Sequence, residues 1–151
     1  MKKTELSAQD HDLIAAAIET VKKPVLQLSG ERMPALVGAA LRLEGGQIIT
    51  AVNFIADVGS LSLCAEPIAI AEAARQHHDK KIEAVVAVYH APGQAPCIIP
   101  PCGRCREFIS DYAPEGFVIL REPKSAALFK VTPAALLPFR YADYWHQGAL
   151  V

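Results

Sequence analysis

The sequence predicts an α/β fold, with helices packed on a mixed sheet, from three observations. An amphipathic helix pattern opens the chain, a hairpin of two apolar strands follows, and helix and strand patterns then alternate. Alternation of this kind places helices against the faces of a sheet. The 151 residues are 52% hydrophobic and contain no repeat, low-complexity tract or linker. That length suits one domain with a substantial core, so we expect residues 1–151 to form a single domain.

The first third of the chain predicts one helix and one hairpin. Ser7 followed three residues later by Asp10 is a helix N-cap of the capping-box type. Apolar residues then recur at helical spacing until Pro24 ends the run. Beyond it, a Gly-Gly turn separates two apolar stretches, which predicts a hairpin with strands at 35–43 and 48–52.

The rest of the chain alternates helices and strands. Alanine-rich segments favour buried helices, while near-continuous apolar runs are typical of strands covered on both faces. Clustered prolines and glycines indicate loops. In order, we expect a loop at 53–63, a helix at 64–77, a strand at 82–89, a loop at 91–101, a helix at 102–112, strands at 117–120 and 126–131, and a short helix from Thr132-Pro133 to Leu137.

Composition and charge exclude several classes of protein. The net charge of −1 gives no basic face for nucleic acid, and no apolar run approaches the roughly 18 residues of a membrane span. The polar N-terminus does not resemble a signal peptide, so we expect a cytoplasmic protein. Cysteines there stay reduced, and clustered ones indicate metal binding or catalysis. The apolar composition mildly favours an oligomer.

Two short motifs carry the chemistry: Cys64-Ala65-Glu66 and Pro101-Cys102-Gly103-Arg104-Cys105. Cys102 and Cys105 are three apart, so on a helix they share one face and can bind one ion. Cys64 should open its own helix. A zinc ion with three protein ligands keeps its fourth position for water, which is the layout of a catalytic site. Glu66 is then placed to act as general acid and base.

Three thiolates would leave the metal centre negatively charged, and a nearby cation would correct this. Arg104 is our first candidate for that position and Arg106 the second; the alternative for both is a solvated helix-surface arginine. For the cysteines, the alternatives are buried apolar thiols or a structural four-thiolate site completed by Cys97. His90, after the central strand, is a weaker candidate for substrate contact.

These motifs resemble the zinc-dependent cytidine deaminase family, whose signature combines Cys-x-Glu with Pro-Cys-x-x-Cys. Supporting matches are Val37–Leu41, Val52-Asn53 and Leu136–Phe139. The resemblance implies a three-layer α/β/α sandwich around a mixed five-stranded sheet. It also implies hydrolytic conversion of a cytosine-type nucleoside, such as cytidine or deoxycytidine, to the uracil form with release of ammonia.

The resemblance also implies roles for individual residues. Cys64, Cys102 and Cys105 would bind Zn²⁺. Glu66 would move protons from the attacking water to the ring nitrogen and the departing ammonia. Asn53 would contact the ribose, and the backbones of Ala65 and of Pro101-Cys102 would lie near the base. Small members of the family are usually homotetramers with shared active sites, so we expect a homotetramer or homodimer.

The sequence departs from ordinary cytidine deaminases near the substrate. Ile55 stands where they carry a glutamate that holds a ribose hydroxyl, and Pro67 where they often carry an arginine. Cys-Gly-Arg-Cys with Arg104 is similar to the blasticidin S deaminase branch, as is an aromatic tail of Tyr141, Tyr144 and Trp145. That tail could anchor the C-terminus or stack on a base.

These departures leave alternatives for the function. A deaminase of blasticidin S, of a modified pyrimidine or of a free base is the main alternative to a deaminase of ordinary nucleosides. A non-enzymatic zinc-binding module is the third.

Overall fold

The computed structural model describes residues 1–145, a mixed sheet with helices on both faces. The elements, in chain order, are α1 (Ala8–Lys22), β1 (Pro24–Leu26), β2 (Arg32–Pro34), β3 (Val37–Leu43), β4 (Ile48–Val52), α2 (Ala65–Gln76), β5 (Ile82–Tyr89), β6 (Cys97–Ile99), α3 (Gly103–Tyr112), β7 (Phe117–Arg121), β8 (Leu128–Val131) and α4 (Tyr141–Trp145). Single 3₁₀ turns lie at Gly59–Leu61 and Pro133–Ala135.

The predicted mixed sheet of five strands is confirmed, in the order β4-β3-β5-β7-β8. Among the strands described within residues 1–145, only β5 and β7 pair in parallel. The short strand β6 adds to this sheet by pairing with the last residues of β5, Ala87 to Tyr89. The sequence predicted that residues 91–101 are all loop, and this prediction is wrong for the three residues of β6. Prolines at 96, 100 and 101 limit β6 to three residues, which hid it from the apolar pattern.

Helices cover both faces of the sheet, and this gives the three predicted layers. Helix α1 packs on one face, while α2 and α3 pack on the other. Side chains on each strand alternate between the two cores. On β5, for example, Val86 packs towards α1 and Val85 packs towards α2 and α3.

Helix α1 begins with the predicted capping box. The Ser7 side chain is bonded to the Asp10 backbone and the Asp10 side chain to the Ser7 backbone.

Helix α1 packs closely on the sheet at Gly38 of β3. A Cβ atom built on Gly38 would lie 2.8 Å from the Val21 Cβ, so only glycine permits this approach. Gly38 therefore sets the spacing between α1 and β3.

Some local elements differ from the sequence prediction. The hairpin of β1 and β2 was missed, because its strands are exposed and only three residues long. The short helix predicted to run to Leu137 is one 3₁₀ turn. No helix among residues 1–145 is long and apolar enough to cross a membrane.

The predicted aromatic tail is described only in part. Tyr141 is exposed, while the side chains of Tyr144 and Trp145 and all of residues 146–151 lie outside the described part of the chain.

Candidate functional site

The three cysteines of the two motifs meet at one point. The Cys64 Sγ lies 3.8 Å from the Cys102 Sγ, which lies 3.4 Å from the Cys105 Sγ. All three sulfurs are within 4.8 Å of one another. Zinc–sulfur bonds of about 2.3 Å in a tetrahedron place sulfurs roughly 3.8 Å apart. The spacing and the soft donor set both suit zinc.

Two helix starts create this cluster. Cys64 is the N-cap of α2 and Cys102 the N-cap of α3. Cys105 follows in the first turn of α3 and is fully buried. Both helix N-termini direct their positive dipole ends towards the sulfurs, which favours thiolates there.

The protein without a cation does not favour three thiolates, however. Burial raises the pKa of the Cys105 thiol, and the negative charge of Glu66 raises it further. Burial also raises the pKa of the Cys64 thiol. At Cys102 burial acts in the same direction, but hydrogen bonds from the Cys105 backbone and the neighbouring thiols outweigh it and lower the pKa. A divalent cation would therefore displace protons on binding.

Glu66 shares a cavity with two of these cysteines. The carboxylate belongs to the first turn of α2, and the residue is 4% exposed. The cavity encloses about 280 Å³, and apolar side chains form most of its wall. Its lining residues are Val37, Asn53, Phe54, Ile55, Ser62, Leu63, Cys64, Glu66, Ile99, Pro100 and Cys102. A proton carrier thus lies beside the sulfur cluster in a space suited to a small ring compound.

A larger groove of about 790 Å³ lies beside this cavity, between α2, α3 and the exposed edge strand β4. Neither Glu66 nor any of the three clustered cysteines lines the groove. Its size therefore does not make it the reaction site, since the groups able to do chemistry line the smaller cavity.

The predicted substrate-contacting residues lie around the small cavity. The Asn53 Oδ1 accepts a hydrogen bond from the Val37 backbone at 2.7 Å, which leaves the amide NH₂ of Asn53 as a donor. Ala65 is fully buried and does not itself line the cavity, although its neighbours Cys64 and Glu66 do. Pro100 lines the cavity, and Pro101 next to it is buried. Contacts of Asn53, Ala65 and Pro101 with a substrate stay predictions.

The two candidate arginines have different surroundings. The Arg104 Nη1 donates to the Ser62 carbonyl at 3.5 Å, and its guanidinium lies 6.0 Å from the Phe108 ring centroid. Arg106 instead donates to two backbone carbonyls, those of Pro101 and Leu136. Within residues 1–145 neither arginine hydrogen-bonds a cysteine sulfur, and the charge role predicted for Arg104 stays a prediction.

Two other residues considered from the sequence, Cys97 and His90, lie outside the candidate site. Cys97 lies on β6 and contacts Arg121, so it is outside the sulfur cluster, which rules out the four-thiolate site. His90 bonds the Leu36 carbonyl through its backbone and does not line the cavity.

The sequence predicted the loop at 53–63 but not that this loop forms one wall of the cavity. Phe54 and Leu63 pair as an isolated antiparallel bridge, which closes residues 54–63 into a compact loop. Val37 and Ile99 complete the wall from β3 and β6. The available signal was the number of large apolar residues in residues 54–63, which is high for a solvated loop.

Comparison with known proteins places this geometry in a family. Residues 7–121 match the family model described as the cytidine and deoxycytidylate deaminase zinc-binding region. Over 145 residues the chain is 37% identical to a blasticidin-S deaminase of Bacillus cereus, covering 93% of this chain and 98% of that protein. A cytidine deaminase of Halalkalibacterium halodurans is 30% identical over 103 residues, covering 68% and 74% of the two chains.

Solved structures agree with these matches. The cytidine deaminase of Burkholderia pseudomallei superposes with a TM-score of 0.68 at 25% identity, covering 90% of this chain and all of that one. The fold also matches that of the cytidine deaminase of Bacillus anthracis, with a TM-score of 0.73 at 22% identity, over 92% and 94% of the two chains. With the family model, the sulfur cluster and the fold in agreement, the chain belongs to the zinc-dependent cytidine deaminase family of hydrolytic enzymes.

Proposed function

We propose that this enzyme removes the exocyclic amine from the cytosine ring of a nucleoside or nucleoside analogue, with water as the second substrate. The observation that carries the proposal is the buried Glu66 carboxylate in the same cavity as the sulfurs of Cys64 and Cys102. Water adds to the amine-bearing ring carbon, the C–N bond breaks, and the products are a uracil-type ring and ammonia.

Zinc, when bound by Cys64, Cys102 and Cys105, would supply Lewis acidity that makes water reactive at neutral pH. The proton transfers fall to Glu66. Its carboxylate accepts a proton as water attacks and delivers it to the adjacent ring nitrogen. It then takes the second proton from the hydroxyl now on the ring carbon and passes it to the amine, so that the C–N bond breaks, a C=O forms and ammonia leaves. Apolar neighbours exclude bulk water from these transfers.

The remaining cavity residues orient the substrate. Because the Asn53 carbonyl oxygen is held by Val37, the amide NH₂ can donate a hydrogen bond to an oxygen of the substrate. Pro100 and Ile99 add apolar surface to the cavity wall, against which a ring can pack. These residues would hold the reacting carbon near Glu66 and reduce the entropic cost of the reaction.

Glu66→Gln tests the mechanism, because glutamine keeps the shape of the side chain and cannot carry the proton. We expect ammonia release to fall by roughly 10³-fold with zinc content unchanged. Glu19→Gln is the matched control, since Glu19 is an exposed acid of α1 that pairs with Lys23 and does not line the cavity. A Glu66→Gln enzyme that retains full turnover would contradict the proposed role of Glu66.

A second candidate substrate class is favoured by the cavity mouth. Phe54 and Ile55 are each about half exposed there, and among residues 1–145 Glu66 is the only carboxylate in the lining. A ribose hydroxyl would find no acidic acceptor beside Asn53 in this part of the chain, and losing such a partner reduces selectivity for the hydroxyl. The match to a blasticidin-S deaminase, at 37% identity over 145 residues, points the same way. We therefore propose blasticidin S, or a pyrimidine with a modified substituent, as the preferred substrate.

A substrate panel decides between the two candidates. Ammonia release is measured with cytidine, deoxycytidine, cytosine, ring-substituted cytosines and blasticidin S. We expect the highest kcat/KM for blasticidin S and little discrimination between cytidine and deoxycytidine. Ile55→Glu should shift selectivity towards cytidine, whereas Ile55→Ala, which adds no acceptor, should not. Cytidine as the best substrate by a wide margin would contradict the argument from Ile55.

We also propose that the enzyme is a homotetramer or homodimer. Large apolar side chains of the loop beside the active site are exposed: Phe54, Ile55, Val58, Leu61 and Leu63. Together with the apolar groove along β4 they form a surface that a second copy would cover. The exposed position of Cys102 in a single chain is consistent with a subunit closing over the site. A cytoplasmic location, which keeps the four thiols reduced, completes the proposal.

A further inference from the structure

We propose that Arg106 is a positioning residue. Its side chain binds the Pro101 and Leu136 backbone carbonyls and so fixes the Pro101–Cys102 segment, which carries one sulfur of the three-cysteine cluster. This inference rests on the proposed function, because it concerns the same site. It differs from the charge role considered from the sequence, in which an arginine would face the thiolates directly.

Three hydrogen bonds define this position. The Arg106 Nε donates to the Pro101 carbonyl at 3.0 Å, and the Arg106 Nη1 donates to the Leu136 carbonyl at 3.2 Å. The backbone N–H of Arg106 donates to the Cys102 carbonyl, also at 3.0 Å. One residue therefore holds both peptide carbonyls that flank the Cys102 sulfur along the chain.

The Pro101 carbonyl depends on this contact. Cys102 is the N-cap of α3, so its carbonyl accepts the first helical hydrogen bond, while that of Pro101 lies outside the helical ladder. Pro101 is buried, and a buried carbonyl left without a donor is costly. The guanidinium suits the task, because its donors point in fixed directions and can satisfy two carbonyls at once.

We call the two side-chain hydrogen bonds of Arg106 the Arg106 clamp. The residues on both sides of the clamped Pro101 carbonyl belong to the candidate site. Cys102 brings its sulfur to the cluster, and Pro100, just before the clamped peptide, forms part of the cavity wall. Mutation of groups that orient metal ligands typically costs 10–100-fold in metal affinity or activity. Loss of the clamp should therefore loosen metal binding and the substrate cavity together.

Arg140 provides a matched comparison. It lies on the C-terminal segment and donates back to α3, to the Ser110 carbonyl at 3.0 Å and to the Asp111 carboxylate at 3.2 Å. Arg106 and Arg140 thus join the same two parts of the chain. Ser110 is five residues beyond Cys105, or about 7.5 Å further along the helix. Removing Arg140 breaks similar packing without touching the Pro101–Cys102 peptide.

The experiment compares zinc release from the zinc-loaded enzyme, followed with a chromogenic chelator, for wild type, Arg106→Met, Arg106→Lys and Arg140→Met. We expect Arg106→Met to release zinc roughly tenfold faster and to lose a similar factor in kcat/KM. Arg106→Lys should recover little, since a single ammonium does not reproduce the fork. Arg140→Met should lower the melting temperature and leave zinc release within about twofold of wild type.

Two results would overturn the proposal. Full rescue by Arg106→Lys would show that the charge matters and the clamp does not. Equal zinc release from Arg106→Met and Arg140→Met would reduce Arg106 to general packing. If Arg106→Met does not fold, the comparison of Arg106→Lys with Arg140→Met decides. Zinc release needs no substrate, so failure of every cytosine compound as a substrate would refute the proposed function while this test stands.

Discussion

Replacing Asp10 by asparagine should destabilise the protein strongly and change its response to acid. Asp10 is completely buried between α1 and the sheet. Its carboxylate accepts hydrogen bonds from the Arg42 Nη1 at 2.9 Å, the Lys130 Nζ at 2.6 Å and the Ser7 backbone at 2.9 Å. Arg42 and Lys130 are themselves largely buried, and within residues 1–145 the only other carboxylate paired with Arg42 is that of Glu83.

The expected loss follows from the charges that the substitution leaves behind. An asparagine side chain would still accept a hydrogen bond but would not neutralise Arg42 or Lys130. Removing one partner of a buried ion pair typically lowers the free energy of unfolding by about 3–5 kcal/mol. Glu83 still compensates part of the Arg42 charge, so we expect a loss of about 3 kcal/mol in the free energy of unfolding. Asp12→Asn, an exposed substitution on the same helix, should change it by less than about 0.5 kcal/mol.

The pH dependence has a definite sign. Burial alone would raise the pKa of the Asp10 carboxyl, but the hydrogen bonds from Lys130, Ser7 and Arg42 outweigh it. The pKa in the folded protein is therefore held well below its usual range. The stabilisation is complete above the unfolded pKa of about 4 and is lost as the pH falls below it, by up to about 1.4 kcal/mol per pH unit. The difference between wild type and Asp10→Asn should shrink accordingly.

Urea unfolding followed by circular dichroism, at fixed protein and zinc concentrations, measures these free energies between about pH 7 and pH 3. Asp12→Asn is measured alongside as the control. A difference below about 1 kcal/mol at pH 7 would refute the energetic argument. A difference that stays constant down to pH 3 would refute the assignment of the acid response to Asp10.

Three further predictions concern the metal, the packing and the subunits. Cys105→Ser should abolish zinc binding and turnover, as measured by zinc content and ammonia release; in the wild type, zinc affinity should weaken as the pH falls, because burial raises the pKa of Cys105. Gly38→Ala should cost about 1–3 kcal/mol in thermal unfolding by forcing a Cβ against Val21, while Gly59→Ala, with open space around it, should be nearly neutral. Leu61→Asp should lower the molar mass measured by light scattering, because Leu61 is 66% exposed on the proposed subunit surface; an unchanged mass would exclude Leu61 from the contact.

The local chemistry of this protein could be predicted from the sequence because short segments determine it. Cys64 and Cys102 are helix N-caps, and Cys105 lies one turn beyond, so spacing alone brings the thiols of α3 together. The capping box at Ser7 and the Gly-Gly turn at 45–46, whose residues have φ of +88° and +87°, are equally local. Each of these features depends on a few neighbouring residues.

The features that were missed depend on residues far apart in the chain. Asp10 meets Arg42 across 32 positions and Lys130 across 120, and no pattern in the sequence marks such a pair. The clamp at Arg106 is formed with a backbone carbonyl 30 residues away, and carbonyls carry no sequence signal. Strand β6 is too short for periodicity to reveal, so it emerges only when β5 offers it an unpaired edge.

The two ends of the sheet therefore have separable roles. Arg42 pairs with Ala84 near the start of β5, and Val37 pairs with Tyr89 at its other end, beside the cavity. Arg42 lies five positions along the extended strand from Val37, a distance of roughly 17 Å. Sites further apart than about 10 Å with no shared partners usually contribute independently. Asp10→Asn should thus lower the free energy of unfolding while leaving KM unchanged. A shift in KM would contradict this independence and indicate that a change at the buried ion pair is transmitted along β3 to the active site.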